Sequence, residues 1–541
     1  MTPELIEEIK AEALVEFELL SRVYRPSYKT RKICDFLKEH IKELRPDIEV
    51  FEDQYRANLV DIANNAAESS GNLWFEVPAN APELAKNEIL ILQAHMDMIC
   101  ASANEEAAKN MIQNGVQLEY HSNGTLTALN HQTSLGADNG IGIAFILAIL
   151  KNNTFKHGPL RVIITTDEEV GMCGASYLGL TKQGDKGQPV QGCKYLLNVD
   201  VVSDGEIAVT SRGAVVSIYS IPKNPDTKPL PAGLNIFTLD IDGLLGGHDG
   251  IEIDKHASAV RVMAEVLKRI NTTSDFHLIE CISDTSEIQN VIQKHCYATF
   301  ATSLDQNIIA DAIESQRAIM AKSFPDERGI KFNLKPAELP PNAEIRPYSH
   351  DVATNIINLI TALPFGPTSW KDRNIGWLET SGNMGPINLM IEKVEKDGKT
   401  TLCNPTFEMK SHVRSSNNDH LQEAIVNNKK LAKQFLGNDD LDYYQLKMVI
   451  YGWDENDDKS LLETVQKAYD KRDVTWRTSH RRGGLELSWF KYFNKELNMI
   501  SIGPEIHDIH SCGETLYTGT LDNTIAVILT CIEKMKTVSM K

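Results

Sequence analysis

The sequence contains no apolar run long enough to span a membrane, and its N-terminal residues have neither the basic start nor the apolar core of a signal peptide. Positive charge is also scarce, since 55 Lys and Arg face 74 Asp and Glu, and the formal net charge is -19. Such a chain would repel nucleic acid, because its phosphates are negative too. We therefore expect neither a membrane partner nor a nucleic-acid partner.

Paired cysteine spacings are missing as well. The nine cysteines are an odd number and are scattered along the chain, which is typical of reduced thiols. Together with the lack of a signal peptide, this pattern predicts a cytoplasmic protein. The chain shows no internal repeat, and its 541 residues exceed what one hydrophobic core usually supports, so two or more domains are expected.

Strand and helix patterns alternate at both ends of the chain. The apolar run EILILQAHMDMI (Glu88–Ile99) indicates a central strand covered on both faces, and GIGIAFILAILKNN (Gly140–Asn153) indicates a helix. Between about residues 213 and 410, strands come closer together and long amphipathic helices separate them. These patterns predict an α/β fold with a mostly parallel sheet, built from residues 1–212 and 411–541, and a smaller inserted α+β domain at 213–410.

Acidic residues and histidines follow the apolar strands at several points. They lie in the segments QAHMDM, SLGADNGIG, TTDEEVG and LLNVD, as His95, Asp97, Asp138, Glu168, Glu169 and Asp200. Because ligands of open α/β sheets bind at the carboxyl ends of the strands, we expect these loops to converge there. A single acid-rich turn or a lone histidine is commonly structural. The repetition after successive strands favours one shared site.

Zinc chemistry explains why these residue types would be gathered. Imidazole nitrogen and carboxylate oxygen are ligands of Zn²⁺, and two zinc ions can share a bridging carboxylate. The charge of the ions would offset the repulsion between clustered acids. One acid must remain free to take a proton from the attacking water. The adjacent pair Glu168–Glu169 fits this division, with one residue binding metal and the other acting as base.

The motifs HMDM, TSLGADNGIGIA, TTDEEVGMCGA, LLNVD, GGHDG and SIGPEIHDIHSCGE occur in this order over nearly the whole chain. They resemble the motifs of the two-zinc aminoacyl-histidine dipeptidases, which are relatives of aminoacylases, carboxypeptidase G and carnosinases. The resemblance implies a zinc-peptidase-like catalytic domain and an inserted lid domain with a ferredoxin-like fold. It also implies a homodimer formed through the lid.

The resemblance assigns a role to each residue of the predicted site. The implied metal ligands are His95 and Asp200 on one zinc ion, Glu169 and His510 on the other, and Asp138 between them. Glu168 would be the general acid/base, and Asp97 would orient His95. His507, three residues before His510, is an alternative last ligand. We favour His510 because the SCGE that follows it keeps the Ser and Glu of the motif.

Four further residues would act on the substrate. His248 lies in GGHDG, where the family motif usually continues with Ser-Gly, and it would donate a hydrogen bond to the oxyanion. Arg414 in VRSS resembles the lid arginine that binds a substrate carboxylate. Asn290 begins NVIQK, where the family tends to have Asn-Ala-Ile-Pro, and Glu486 is a supporting or amine-recognising acid. The ordinary alternatives are a turn histidine for His248 and a surface ion pair for Arg414.

These features predict a dipeptidase with two zinc ions per subunit, for which manganese or cobalt are alternatives. Its substrates would be unblocked dipeptides, with C-terminal histidine favoured. A hydrolase of N-acyl amino acids on the same fold remains an alternative, and so does a non-catalytic binding protein.

Overall fold

The computed structural model describes residues 2–55, 68–152, 154–178, 189–221, 228–272, 275–283, 290–340, 343–396, 399–404 and 406–534. The chain divides into two compact units. Unit 1 comprises Met1–Ser211, Trp453–Arg481 and Leu485–Lys541, and unit 2 comprises Arg212–Gly452 and Arg482–Gly484. Unit 2 is thus inserted into the sequence of unit 1.

The helices and strands of the described residues follow in chain order. The α-helices are α1 (Pro3–Ser21), α2 (Arg31–Leu44), α3 (Glu105–Asn114), α4 (Ala137–Lys151), α5 (Cys173–Tyr177), α6 (Asp249–Glu252), α7 (Ala259–Asn271), α8 (Gln306–Ser323), α9 (His350–Ala362), α10 (Asn418–Leu436), α11 (Ser460–Asp470), α12 (Leu487–Phe493) and α13 (Leu521–Lys534). Short 3-10 helices lie at Pro82–Leu84, Leu129–His131 and Thr518–Thr520. The strands are β1 (Phe51–Glu52), β2 (Leu73–Val77), β3 (Leu90–His95), β4 (Leu118–Tyr120), β5 (Thr125–Ala128), β6 (Leu160–Thr165), β7 (Tyr195–Val199), β8 (Glu206–Ser211), β9 (Gly213–Ile221), β10 (Asn235–Asp242), β11 (Gly247–His248), β12 (Phe276–Ser283), β13 (Val291–Ile292), β14 (Cys296–Thr302), β15 (Lys331–Pro336), β16 (Glu344–Arg346), β17 (Gly366–Asp372), β18 (Trp377–Leu389), β19 (Glu392–Lys396), β20 (Lys399–Cys403), β21 (Phe407–Ser415), β22 (Tyr444–Ile450), β23 (Arg477–Arg481), β24 (Asn498–Ile502), β25 (Ile506–His507) and β26 (Thr515–Tyr517).

Unit 1 is built around an eight-stranded sheet with the order β1-β2-β6-β3-β7-β24-β8-β23. The pairs β3–β6, β3–β7, β7–β24 and β8–β23 are parallel, and the remaining neighbours are antiparallel. Every residue of β3, β6 and β7 is buried, which explains their continuous apolar sequences. The predicted α/β class is confirmed, and of the mostly parallel sheet that was expected, four of the seven neighbouring strand pairs are parallel.

Helix α4 packs inside unit 1. All its residues from Asn139 to Leu150 are buried, as expected of a helix that is apolar on every face. It contributes to a core that also includes side chains of α1, α13 and the central strands. A separate sheet, β25-β26-β5-β4, holds the C-terminal segment before α13 against β5. The chain between β25 and β26 is thereby anchored at both ends.

Unit 2 contains a nine-stranded antiparallel sheet in the order β15-β10-β14-β12-β18-β21-β9-β22, with β17 paired to β18. Buried side chains of α7, α8 and α9 pack with it into a second core. Unit 2 thus combines helices with an antiparallel sheet, and that it is the predicted lid domain stays a prediction. Its ferredoxin-like arrangement stays a prediction.

The second boundary of the inserted unit differs from the predicted one. The sequence pattern placed it at residue 410, whereas the structure places it at Gly452. The reason is that residue 410 lies in the middle of β21, whose partner is β9 of the same unit. Strand β22 pairs with the other edge of β9, so the chain leaves unit 2 only after this strand.

Within the described residues, no helix is both long and apolar enough to cross a membrane. The nine cysteines all fall in the described ranges and are free thiols. Cys281 and Cys296 lie on neighbouring strands of unit 2 with their Sγ atoms 4.0 Å apart.

Candidate functional site

The central strands of unit 1 end at the same edge of the sheet. In the parallel ladder His95 of β3 lies opposite Thr165 of β6, and Gln93 lies opposite Asn198 of β7. The segments that follow these strands therefore emerge side by side, as open α/β sheets require of a ligand site. The structure brings together on this edge the candidates from HMDM, TTDEEVG and LLNVD, with the start of α4 beside them.

Asp138 lies between two histidines. Its Oδ1 is 3.1 Å from Nε2 of His95, and its Oδ2 is 3.4 Å from Nε2 of His510. On the first side, Asp200 Oδ1 is 3.4 Å from His95 Nε2, and on the second, Glu169 Oε2 is 2.9 Å from His510 Nε2. The ligand atoms of each trio, one with Asp200 and one with Glu169, all lie within 4.8 Å of one another. Two overlapping trios that share the carboxylate of Asp138 result, and His95, Glu168 and Glu169 form a third trio of this kind.

The two C-terminal histidines have different surroundings. His510 lies between β25 and β26 and faces Asp138 and Glu169. His507 is half exposed, with Nε2 2.6 Å from Glu505 Oε1 and Nδ1 3.3 Å from the hydroxyl of Tyr517. The geometry therefore favours His510 over His507 as the candidate ligand.

Asp97 organises the turn that carries the two glutamates. Its Oδ1 accepts the backbone N–H of Glu168 at 3.1 Å, and its Oδ2 accepts that of Glu169 at 3.3 Å and the hydroxyl of Ser27 at 2.7 Å. Nδ1 of His95 lies 3.1 Å from the backbone carbonyl of Asp97 and 3.5 Å from its Oδ1. Asp97 therefore contacts both the histidine that it was expected to orient and the turn with Glu168.

Burial and crowding shift the pKa values of this cluster. Burial raises the pKa of Glu168 well above its usual range and that of Asp200 to about 6. Hydrogen bonds to Asp138 and Glu169 raise the pKa of His510 to about 10. For His95, burial acts to lower the pKa, but Asp200 and Asp138 outweigh it and hold the value well above normal. The cluster thus attracts positive charge.

The donor set fits divalent cations. Glu169 Oε1 is buried and has no hydrogen-bond partner among the described residues, although a carboxylate oxygen in this position needs one. A metal ion would satisfy it. Nitrogen and oxygen donors from His95, Asp138, Asp200, Glu169 and His510 suit Zn²⁺, and manganese or cobalt accept the same donor types.

Three residues next to the cluster were not predicted as site residues from the sequence. Glu514 is buried and its carboxylate accepts the backbone N–H groups of Leu135, Gly136 and Asp138 at 2.9, 2.9 and 3.2 Å. Asn139 donates to Asp200 Oδ1 at 2.6 Å, and buried Arg25 donates to the carbonyl of Gly136 at 2.7 Å. The Glu of SCGE was a sequence signal for Glu514, whereas nothing in the sequence pointed to Arg25.

Glu486 lies beneath the strand ends. It is 1% exposed, and its Oε2 accepts hydrogen bonds from Gln93 Nε2 at 2.6 Å and Thr165 Oγ1 at 2.7 Å. Burial raises the pKa of Glu486 to about 8. Of the two predicted roles, support of the ligand-bearing strands fits these contacts better than recognition of a substrate amine.

The other predicted substrate residues lie together in unit 2. Nδ1 of His248 accepts the backbone N–H of Gly250 at 3.0 Å, and its Nε2 lies 3.3 Å from the side-chain amide of Asn290. A Cβ atom at position 250 would come within 2.7 Å of His248 Cε1, so a larger residue there would displace the ring. Burial and the nearby Arg414 lower the pKa of His248, which favours the neutral ring.

Asp249 joins this group, although the sequence analysis did not single it out as a site residue. Its Oδ1 is 2.9 Å from Arg414 Nε, and its Oδ2 is 2.6 Å from His412 Nδ1. Burial alone would raise the pKa of Asp249, but His412 and Arg414 hold it well below its usual range. Arg414 therefore forms a buried ion pair with Asp249. The surface ion pair that was the alternative for Arg414 is not what the structure contains.

Most of the chain is similar in sequence to known peptidases. The model of Peptidase family M20/M25/M40 matches residues 91–534. The cytosol non-specific dipeptidase of Escherichia coli (strain K12) is 26% identical over 511 residues, which cover 93% of each chain.

Solved structures share the fold. An aminoacylhistidine dipeptidase from Vibrio alginolyticus superposes with a TM-score of 0.78 at 22% identity, covering 97% of this chain and 96% of that one. An aminopeptidase PepT from Bacillus cereus superposes with a TM-score of 0.52 at 16% identity, covering 97% and 98%. At these identities the structural likeness concerns the fold.

Proposed function

The chain belongs to peptidase family M20/M25/M40 as a metallopeptidase, and we propose that it hydrolyses unblocked dipeptides in the cytoplasm with two zinc ions per subunit. The observation that carries the proposal is the position of Asp138, whose two oxygens face His95 and His510 separately. The name of the Escherichia coli relative supports dipeptides as the substrate class. The name of the Vibrio relative supports C-terminal histidine as the preferred second residue.

The residues of unit 1 divide into ligands and a base. In the proposal His95, Asp138, Asp200, Glu169 and His510 hold the ions, which when bound polarise the scissile carbonyl and make a water acidic. Glu168 is held through its backbone N–H, and among the described residues its side chain has no hydrogen-bond partner, which leaves the carboxyl group available for proton transfer. Glu168 takes the proton of the attacking water and returns it to the leaving amine.

The residues of unit 2 act on the substrate. Because Nδ1 of His248 accepts a hydrogen bond from Gly250, the neutral ring carries its proton on Nε2. The atom of Asn290 nearest to Nε2 is its amide Nδ2, at 3.3 Å, which is itself a donor, so the Nε2–H of His248 is left to donate to a substrate oxyanion. Arg414 binds the C-terminal carboxylate of the dipeptide, which limits the site to short, unblocked substrates.

We also infer that the protein is a homodimer through unit 2. Strand β15 ends the nine-stranded sheet, and its side chains are exposed or partly exposed. An edge strand presents backbone groups to a second strand. On the neighbouring helix α8, Ile308 and Ile319 are exposed. Light scattering after gel filtration tests this, and a monomer at micromolar concentration would contradict it.

The experiment that tests the function compares substrates under metal control. Protein stripped with a chelator receives zinc, manganese or cobalt and is assayed with an Xaa-His dipeptide, other dipeptides, an N-acetylated dipeptide and an N-acyl amino acid. We expect metal-dependent cleavage of the unblocked dipeptides, fastest for Xaa-His. Cleavage of only the N-acyl substrates would instead identify an acyl amino acid hydrolase, and binding without cleavage would identify a non-catalytic protein.

A further inference from the structure

Asp249 is the acidic residue of the GGHDG segment. It follows His248 directly, begins α6 and is 2% exposed. A carboxylate in such a place costs free energy unless it is paired and hydrogen-bonded. Both oxygens are used, Oδ1 by Arg414 and Oδ2 by His412. Two side chains of β21 therefore satisfy the carboxylate of Asp249.

The charges around Asp249 do not cancel. Arg212 is buried beside it and donates to Ser381 Oγ at 2.8 Å and to the carbonyl of Gly250 at 2.7 Å, both neutral acceptors. Burial and Arg414 lower the pKa of His412, so this ring is neutral and its Nδ1–H donates to the carboxylate. Two guanidinium groups and one carboxylate leave an excess of one positive charge, which one carboxylate of a ligand would balance.

The contact of Asp249 decides which edge of the Arg414 guanidinium is available. A guanidinium binds a carboxylate through two parallel N–H groups, either Nε with one Nη or the two Nη groups together. Asp249 occupies Nε, and among the described residues neither Nη1 nor Nη2 of Arg414 has a hydrogen-bond partner. His412 holds the second oxygen of Asp249, which prevents the carboxylate from turning away.

We propose that Asp249 is a positioning residue that holds Arg414 through Nε, so that its two terminal Nη groups bind the C-terminal carboxylate of the substrate. This inference rests on the proposed function, because it takes Arg414 as the residue that recognises the dipeptide carboxylate. It adds that recognition depends on a residue that does not touch the substrate. His412 supports it as the second partner of Asp249.

The test uses pairs of substrates that differ only at the carboxylate. Asp249→Ser and Asp249→Asn are assayed with a dipeptide and with its C-terminal amide. For the free dipeptide we expect KM to rise by roughly 10-fold or more, the range for losing a charged hydrogen bond, with little change in kcat. For the amide we expect KM to change by less than about 2-fold, since Arg414 has no carboxylate to bind there.

A double variant separates positioning from general damage. In Arg414→Gln there is no guanidinium to hold, so adding Asp249→Ser should leave the ratio of kcat/KM for acid over amide unchanged. The matched control is Asp240→Asn, which removes another Asp–His pair of unit 2, at 2.7 Å from His295 and about one third exposed. We expect wild-type KM and kcat for both substrates in this control.

The outcomes distinguish this inference from the proposed function. If the wild-type protein cleaves no dipeptide, the proposed function fails and this inference fails with it. If the wild type prefers the acid and Arg414→Gln abolishes that preference, but Asp249→Ser retains it, only the role of Asp249 is overturned. The acid-to-amide ratio is independent of the fraction of folded enzyme. Should Asp249→Ser not fold, Asp249→Glu keeps the charge but displaces it, and a wild-type ratio in this variant would overturn the positioning role.

Discussion

Each unit of this protein buries a polar cluster, and the two clusters carry charge of opposite sign. In unit 1 the carboxylates of Asp138, Glu169 and Asp200 surround two histidines, and the histidine pKa values rise in response. In unit 2 two arginines surround Asp249, and the pKa of Arg212 falls to about 9 because of burial and the nearby Arg414. One cluster attracts cations and the other an anion.

This difference shows how the chain can keep uncompensated charge in its interior. Buried charges are costly unless partners neutralise them, so a surplus of either sign is stable only with a ligand or at a cost to folding. Metal ions would neutralise the cluster of unit 1, and the carboxylate of a dipeptide would neutralise that of unit 2. Sites that break the usual rules of burial are where function is expected.

The largest expected effect distinguishes the two adjacent glutamates of unit 1. Glu168→Gln should lower kcat by a factor on the order of 10² or more, the usual scale for a lost general base, and keep the bound metal. Glu169→Gln should lose metal, because a neutral amide replaces a charged carboxylate whose Oε1 has no partner among the described residues. Metal content from mass spectrometry and steady-state kinetics measure both. If Glu168→Gln loses metal and Glu169→Gln retains it, then Glu168 is the ligand and Glu169 is the base.

The next effect tests the neutral histidine of unit 2. His248→Ala should lower kcat by roughly 10² to 10³, the cost of removing one oxyanion donor, without changing metal content. His295→Ala is the control, because this partly exposed ring of the same unit pairs with Asp240 and lies outside the Asp249 cluster. A near-normal kcat in His248→Ala would show that His248 is a structural residue of the turn and does not act on the oxyanion.

A smaller effect concerns the support of the metal cluster. Glu514→Ala should lower the free energy of unfolding by about 1–3 kcal/mol, the cost of one buried backbone donor left unsatisfied, because Glu514 serves three such donors. Urea unfolding with chelator present measures this without the metal. Glu119→Ala removes a partly exposed carboxylate that accepts one N–H, from Asn130, and should cost less. Equal losses in the two variants would contradict the supporting role.

The sequence allowed the fold and much of unit 1 to be predicted because the signals there are local. The apolar runs of β3 and β7 are continuous, and the acids of their ends follow within a few residues. The positions of Asp97, Glu168 and Asp200 at one sheet edge are therefore predictable from the sequence alone. Glu514 was harder, because its partners at the start of α4 are nearly 380 residues away in the chain.

Unit 2 was less predictable because its contacts are between distant segments. Asp249 and its partners on β21 are 163 and 165 residues apart, and no periodicity connects them. The boundary at 410 was misplaced for the same reason, since only the pairing of β21 with β9 shows that the unit continues. Long-range antiparallel pairing is invisible to patterns that are read within a window of residues.

The central claim is that Asp138 joins two metal sites in unit 1, and metal stoichiometry tests it most directly. Purified wild-type protein and Asp138→Asn are dialysed against the same zinc concentration and analysed by mass spectrometry. We predict two zinc ions per chain in the wild type and at most one in Asp138→Asn, because an amide oxygen cannot bridge as a carboxylate does. Two zinc ions in Asp138→Asn, or none in the wild type, would contradict the account.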